Sequence, residues 1–183
     1  MRAIQKTILF GDSITQFWQN YDAAFFETFN LLNKGISGQT TTQMRVRFEN
    51  DVLNLQPKML IILAGINDIA ENNGPILLEE IMQNIILMVE KATDNTIEVI
   101  LCTVLPTNYF YWNPKILPAK NVIELNKMIR DYANSNDIKL VDYYSQMVDT
   151  SNGLQKQFST DGVHPNLIGY LKMRSILEPY LML

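Results

Sequence analysis

Five short apolar runs separated by segments of helical periodicity constrain this chain more than any other feature. Thr7 to Phe10, Phe29 to Asn33, Met59 to Ala64, Glu98 to Thr103 and Lys139 to Val141 read as strands. Between them, apolar residues recur on single helical faces. Met44, Phe48, Val52 and Leu55 form one stripe, and Leu77, Ile81, Ile85 and Val89 a second. Val122, Leu125, Met128, Ile129 and Tyr132 form a third, with Leu167, Leu171 and Leu177 on a C-terminal helix. Such alternation predicts an α/β chain with a parallel sheet covered on both faces. The expected architecture is one domain over residues 1–183, three-layered, doubly wound and flavodoxin-like, with five strands ordered 2-1-3-4-5.

That topology restricts where a site can form. Open parallel sheets bind ligands outside the carboxyl ends of their strands. The polar, glycine-containing segments Gly11 to Thr15, Gly35 to Thr40 and Gly65 to Asp68 follow strands one, two and three. Asp142 to His164 follows strand five, so all four should gather along one edge.

Composition excludes several function classes. Fifteen basic against nineteen acidic residues leave a net charge of -4, without the basic excess of a nucleic-acid binder. One cysteine and one histidine are too few for the common structural zinc clusters, so no metal is expected. Cys102 follows Val99-Ile100-Leu101 and reads as a buried, inert thiol. The start, Met1 to Lys6, has no apolar stretch of signal-peptide length, and no segment approaches the ~18 apolar residues of a membrane span. The expectation is a cytoplasmic protein without integral membrane association.

Each edge segment has an ordinary and a chemical reading. In Gly11-Asp12-Ser13-Ile14-Thr15, a serine at a strand-to-helix turn presents its hydroxyl beside free backbone N–H groups. Taken alone, a helix cap is the stronger explanation. Gly35 and Gly38 let the next loop turn sharply before helix-capping threonines. Gly65-Ile66-Asn67-Asp68 delivers a neutral amide that can stabilise an oxyanion, or simply closes an Asx turn. In Asp161-Gly162-Val163-His164-Pro165, the carboxylate can accept the imidazole Nδ1–H and leave Nε2 for a nucleophile. Pro165 suits the first position of the following helix.

Together the four segments resemble the blocks of the SGNH hydrolases, the GDSL family of esterases and lipases. Gly11-Asp12-Ser13-Ile14 is similar to the first block with Ile for the usual Leu, and Gly38, Asn67 and Asp161 with His164 fall at the others. Gln39 stands where many members carry an acidic residue. The Gly-x-Ser-x-Gly elbow of α/β-hydrolases is absent. The resemblance implies Ser13 as nucleophile, His164 as general base and acid, and Asp161 as its orienting carboxylate. It also implies an oxyanion hole of the Ser13 and Gly38 N–H groups and the Asn67 side chain, with Asp12 and Asp68 bracing the loops. No cofactor is required.

The expected substrate is a small-molecule ester, with a short acetyl ester of a carbohydrate or small alcohol favoured because the chain leaves no room for a large lid. A lysophospholipid or a platelet-activating-factor-like ester is the alternative within the family. Tyr109-Phe110-Tyr111-Trp112 follows strand four and is rich enough in aromatics to line a groove. Tyr109 and Trp112 are the candidate contacts, with Trp18 adding to the wall. Equally, that run can pack on its own chain or on a second subunit, which leaves a homo-oligomer open. A flavodoxin-like phosphate or flavin module is the rival from another class, but it assigns no task to Asn67, Asp161 or His164.

Overall fold

Strand β1, Thr7–Gly11, is buried along its whole length in the computed structural model, which describes residues 6–182. Its continuous apolar sequence reflects burial on both faces, as a central parallel strand requires. The expectation of no leader rests partly on Met1 to Gln5, which lie outside the described residues. Leu31–Gly35 (β2), Met59–Leu63 (β3), Glu98–Cys102 (β4) and Lys139–Val141 (β5) complete a parallel sheet ordered β2-β1-β3-β4-β5. The predicted strand order and parallel sense both hold.

Register sets the height of the loops. Gly11 pairs with Gly35 on one side and with Leu63 on the other. The turns after β1, β2 and β3 therefore begin at one level, so their polar residues share a rim.

Helices α1 (Ser13–Tyr21) and α2 (Ala23–Thr28) lead from β1 to β2, and α3 (Thr41–Asp51) leads from β2 toward β3. A short α4 (Ile66–Ile69) follows β3, then α5 (Leu78–Asp94), α6 (Ala119–Ser135), α7 (Tyr143–Met147) and α8 (Leu167–Leu181). Helix α3 packs on α5 and α5 on α6, whereas α1 packs on α8. Right-handed crossovers account for this division, because the chain reverses direction along the sheet after β2. Cys102 is buried, and burial pushes its thiol up, in agreement with an inert role.

Three local expectations change. The second strand begins at Leu31 rather than Phe29, because Asn30 adopts a left-handed conformation (φ 50°) and separates α2 from the strand. Phe29 instead packs on Phe25, 5.3 Å between ring centres. Leu77 stands at the N-cap of α5 and is 65% exposed, so that buried stripe begins at Ile81. On α8, Leu167 and Leu171 face outward while Gly169, Tyr170, Met173 and Leu177 are buried. The buried face carries Gly169, whose missing side chain admits Phe158. A Cβ at Gly169 would stand 2.4 Å from the Phe158 carbonyl oxygen.

Candidate active site

The turn after β1 caps α1 with Asp12, not Ser13. Asp12 Oδ1 accepts the Ile14 N–H at 3.0 Å, which leaves Ser13 as the first helical residue with its hydroxyl uncommitted to capping. Burial pushes the Asp12 carboxyl up to about 7 despite that hydrogen bond and the nearby His164. Gly11 is needed for close approach: a Cβ there would meet Thr15 Oγ1 at 2.2 Å and the Leu63 carbonyl oxygen at 2.7 Å.

The loop before α8 brings the histidine to this turn. Ser13 Oγ lies 3.0 Å from His164 Nε2, and His164 Nδ1 lies 2.8 Å from Asp161 Oδ2. Asp161 Oδ1 accepts the backbone N–H groups of Val163 (2.9 Å) and His164 (2.8 Å) and the Ser159 hydroxyl (3.1 Å). Burial opposes the Asp161 charge, but these bonds and the His164 ring outweigh it and hold the carboxyl below its ordinary value. Pro165 is not the first helical residue as expected. It precedes the cap Asn166, whose Oδ1 accepts the Gly169 N–H at 3.0 Å, so His164 sits in the loop ahead of the helix.

Docking of α8 fixes this loop relative to Ser13. The Tyr170 hydroxyl donates to the Ile14 carbonyl at 2.9 Å, one residue beyond Ser13. Tyr170 also stacks on Trp18, which in turn stacks on Phe25.

Gly38 and Asn67 arrive from the two neighbouring strand ends. Gly38 adopts φ +76°, a conformation that favours glycine. Its N–H and that of Ser13 have no hydrogen-bond acceptor among the described residues, the latter because it opens a helix. Asp68 holds the two loops together by accepting the Thr41 hydroxyl at 2.6 Å and the Thr41 N–H at 2.9 Å. Gln39 accepts from Arg47 Nε. Arg47 also donates to the carbonyls of Gly11 (2.8 Å) and Lys34 (2.9 Å), tying β1, β2 and the Gly38 loop to α3.

Ser13, Ser37, Gly38, Asn67 and His164 line one open cavity of about 250 Å³, with Asn72, Tyr111 and Trp112 on its wall. A groove of similar volume, about 280 Å³, lies between α3 and α5 but is lined by no imidazole or carboxylate. Aligned hydroxyl, imidazole and carboxylate can move a proton off the hydroxyl while keeping the ring's tautomer fixed.

Residues 9–172 match the GDSL-like Lipase/Acylhydrolase family. The chain belongs to this family. A GDSL-like lipase from Bacteroides thetaiotaomicron is similar across 100% of this chain and 90% of its own, with 37% identity and a TM-score of 0.96. The curated protein YqeF of Bacillus subtilis, called an uncharacterized lipoprotein, is 29% identical over 184 residues, covering 83% of this chain and 76% of that protein. An acetyl xylan esterase has the same fold at 24% identity and a TM-score of 0.77, over 93% of this chain and 98% of its own.

Against this GDSL-like hydrolase fold, two expected contacts need correction. Trp18 is 2% exposed and belongs to the core beneath α8, packed against Phe25 and Phe26 of α2 and Tyr170 of α8. Tyr109 is exposed and does not line the cavity; Tyr111 does. The aromatic run alternates around Phe110, which is buried and anchors the loop, its ring 4.9 Å from that of Trp112. Trp112 lines the cavity, its ring centre 6.4 Å from that of His164.

Phe17, Asn72 and Arg47 are neighbours of the site that no motif announces. Phe17 flanks His164 at 5.8 Å, and Asn72 sits in an Asn-Asn-Gly turn that reads only as loop. Trp18→Ala should lower stability by about 3–5 kcal/mol, measured by chemical unfolding. A loss under about 1 kcal/mol would remove Trp18 from the docking core.

No helix among the described residues is long and apolar enough to cross a membrane.

Proposed function

We propose that this GDSL-like hydrolase cleaves a short-chain carboxylic ester, an acetyl ester of a carbohydrate or small alcohol, through an acyl-enzyme on Ser13. The observation that carries the proposal is the unbroken Ser13–His164–Asp161 line, 3.0 and 2.8 Å per link, opening on the cavity that Gly38 and Asn67 also face.

In the first step His164 Nε2 takes the Ser13 proton as Oγ bonds to the ester carbonyl carbon. The negative charge that develops on the carbonyl oxygen is met by the N–H groups of Ser13 and Gly38 and the Asn67 amide. Collapse breaks the carbon–oxygen bond to the alcohol, which leaves with the proton from Nε2. Water then enters, loses a proton to Nε2 and releases the acid by the same route. Asp161 holds the ring with Nδ1 protonated throughout.

Cavity size supports the short acyl group. About 250 Å³ is below the usual range for drug-sized ligands, and its wall combines Tyr111 and Trp112 with Ser37 and Asn72. Aromatic faces with nearby amide and hydroxyl groups suit a sugar ring better than a long acyl chain. A lysophospholipid reading needs room for a long acyl chain beside Ser13, whereas a platelet-activating-factor-like ester carries an acetyl group and differs from a sugar acetate in its alcohol half. A flavin or phosphate module would leave the paired Asp161 and His164 without a task. Cytoplasmic location stays the reading of the sequence, set against a Bacillus subtilis relative called a lipoprotein.

A series of p-nitrophenyl esters from acetyl to long chain tests the reading. Turnover should be highest for acetyl and fall steeply as the chain lengthens. Across acetyl esters of different alcohols, a second series, Trp112→Ala should change relative turnover more than it changes the melting temperature. Preference for long chains would support the lysophospholipid alternative, and inertness toward every ester would end the proposal.

A further inference from the structure

A polarised chain of hydrogen bonds runs along the cavity wall from the aromatic loop to Asn67. The Trp112 indole Nε1–H donates to Asn72 Oδ1 at 3.3 Å. Asn72 Nδ2 donates to Asn67 Oδ1 at 2.7 Å, and Asn67 Nδ2 donates to the Gln39 carbonyl at 3.1 Å.

The direction of this chain is forced by its ends. A side-chain amide has nearly the same shape with its oxygen and nitrogen exchanged, so its partners decide which end donates. An indole N–H can only donate and a backbone carbonyl can only accept. Donor at one end and acceptor at the other leave a single consistent orientation for both amides between them. Asn67 Nδ2 carries two hydrogens, and Gln39 takes one. The other has no acceptor among the described residues, and Asn67 lines the cavity beside Ser13 and His164.

We infer that Asn72 is a positioning residue that holds the Asn67 amide with its N–H side toward the cavity, and that the Trp112 indole sets the orientation of Asn72. This rests on the proposed oxyanion role of Asn67. Gln39 restrains the amide from one side only; Asn72 supplies the opposing restraint that keeps the group from swinging about its last torsion. Asn72 is itself exposed, so its loss should act on turnover and not on folding. Trp112 thereby has a task separate from any contact with the alcohol group.

The test uses p-nitrophenyl acetate with separate kcat and KM for Asn67→Ala, Asn72→Ala, Asn72→Asp and Trp112→Phe. Asn67→Ala should lower kcat by on the order of 10²–10³, as removal of an oxyanion donor does. Asn72→Ala should lower kcat roughly tenfold with KM and melting temperature little changed, the loss expected from a slightly misplaced group. Asn72→Asp should cost more, roughly 10²-fold, because a carboxylate can only accept and would draw the Asn67 N–H groups away from the cavity. Trp112→Phe, which keeps a ring but loses the N–H, should lower kcat several-fold, at about the scale of one weak hydrogen bond.

The double variants decide between positioning and other roles. In an Asn67→Ala background, Asn72→Ala should cause no further loss of turnover on p-nitrophenyl acetate, because the inferred route through Asn67 is gone. An undiminished tenfold loss there, or full turnover in Asn72→Ala alone, overturns the inference. Full turnover in Trp112→Phe removes the indole from it. Wild-type turnover in Asn67→Ala would instead overturn the oxyanion reading itself, and the inference with it.

Discussion

Ser13→Ala should reduce kcat for p-nitrophenyl acetate by on the order of 10⁶, as loss of a nucleophile in a coupled triad does. The residue is 4% exposed and the change deletes one oxygen without altering the packing volume, so folding should be unaffected. Helix α1 keeps its cap, because Asp12 and not Ser13 accepts the Ile14 N–H. His164 and Asp161 keep their own contact in the variant. A rapid burst of p-nitrophenol in the wild type, absent from Ser13→Ala, would report the acyl-enzyme directly. Burst and steady-state turnover both surviving in the variant would remove Ser13 as nucleophile.

Asp161→Asn should cost roughly 10⁴ in kcat, because it reverses one hydrogen bond while leaving the loop in place. Asp161 Oδ1 already accepts two backbone N–H groups and the Ser159 hydroxyl. An asparagine keeps its oxygen at that position, since its NH₂ cannot accept them. The NH₂ must then face His164 Nδ1, 2.8 Å away, and donate to it. The imidazole is driven to the tautomer with hydrogen on Nε2, which cannot take the Ser13 proton. The melting temperature should change little, since the loop's backbone bonds survive. Wild-type turnover in Asp161→Asn would show that the ring's tautomer is not controlled from this side.

The strands were legible in the sequence where both faces of the sheet are covered. β1, β3 and β4 are continuous apolar runs because they are interior, and their predicted starts agree with the structure. The edge strand β2 was displaced by two residues because half-buried Leu32, Asn33 and Lys34 carry a weak apolar signal. Phe29 has the stronger signal and spends it on Phe25 in the adjoining helix.

The candidate site divides along a similar line. Gly11 to Ser13, Gly38, Asn67 and Asp161 to His164 lie within short segments whose residue types limit their roles. Trp18 and Tyr109 do not. A tryptophan near a predicted rim reads as a substrate wall, yet one residue decides whether a helical side chain faces cavity or core. Phe17 flanks His164 while Trp18 stacks beneath Tyr170, and only the rotation of α1 against α8 separates their fates.

The sequence by itself determined the sheet, its strand order, and the edge on which the reactive residues assemble. Local hydrophobic period and handed crossovers suffice for that, because they act through neighbours along the chain. Tertiary structure alone decided that the Ser13 hydroxyl and His164 Nε2 meet at 3.0 Å across 151 residues. It also decided that Asn72 and Trp112 join Asn67 in one directed hydrogen-bond chain. Those distances depend on how α8 docks on α1 and how Phe110 anchors its loop. Side-chain packing sets both, and packing depends on the whole interior at once.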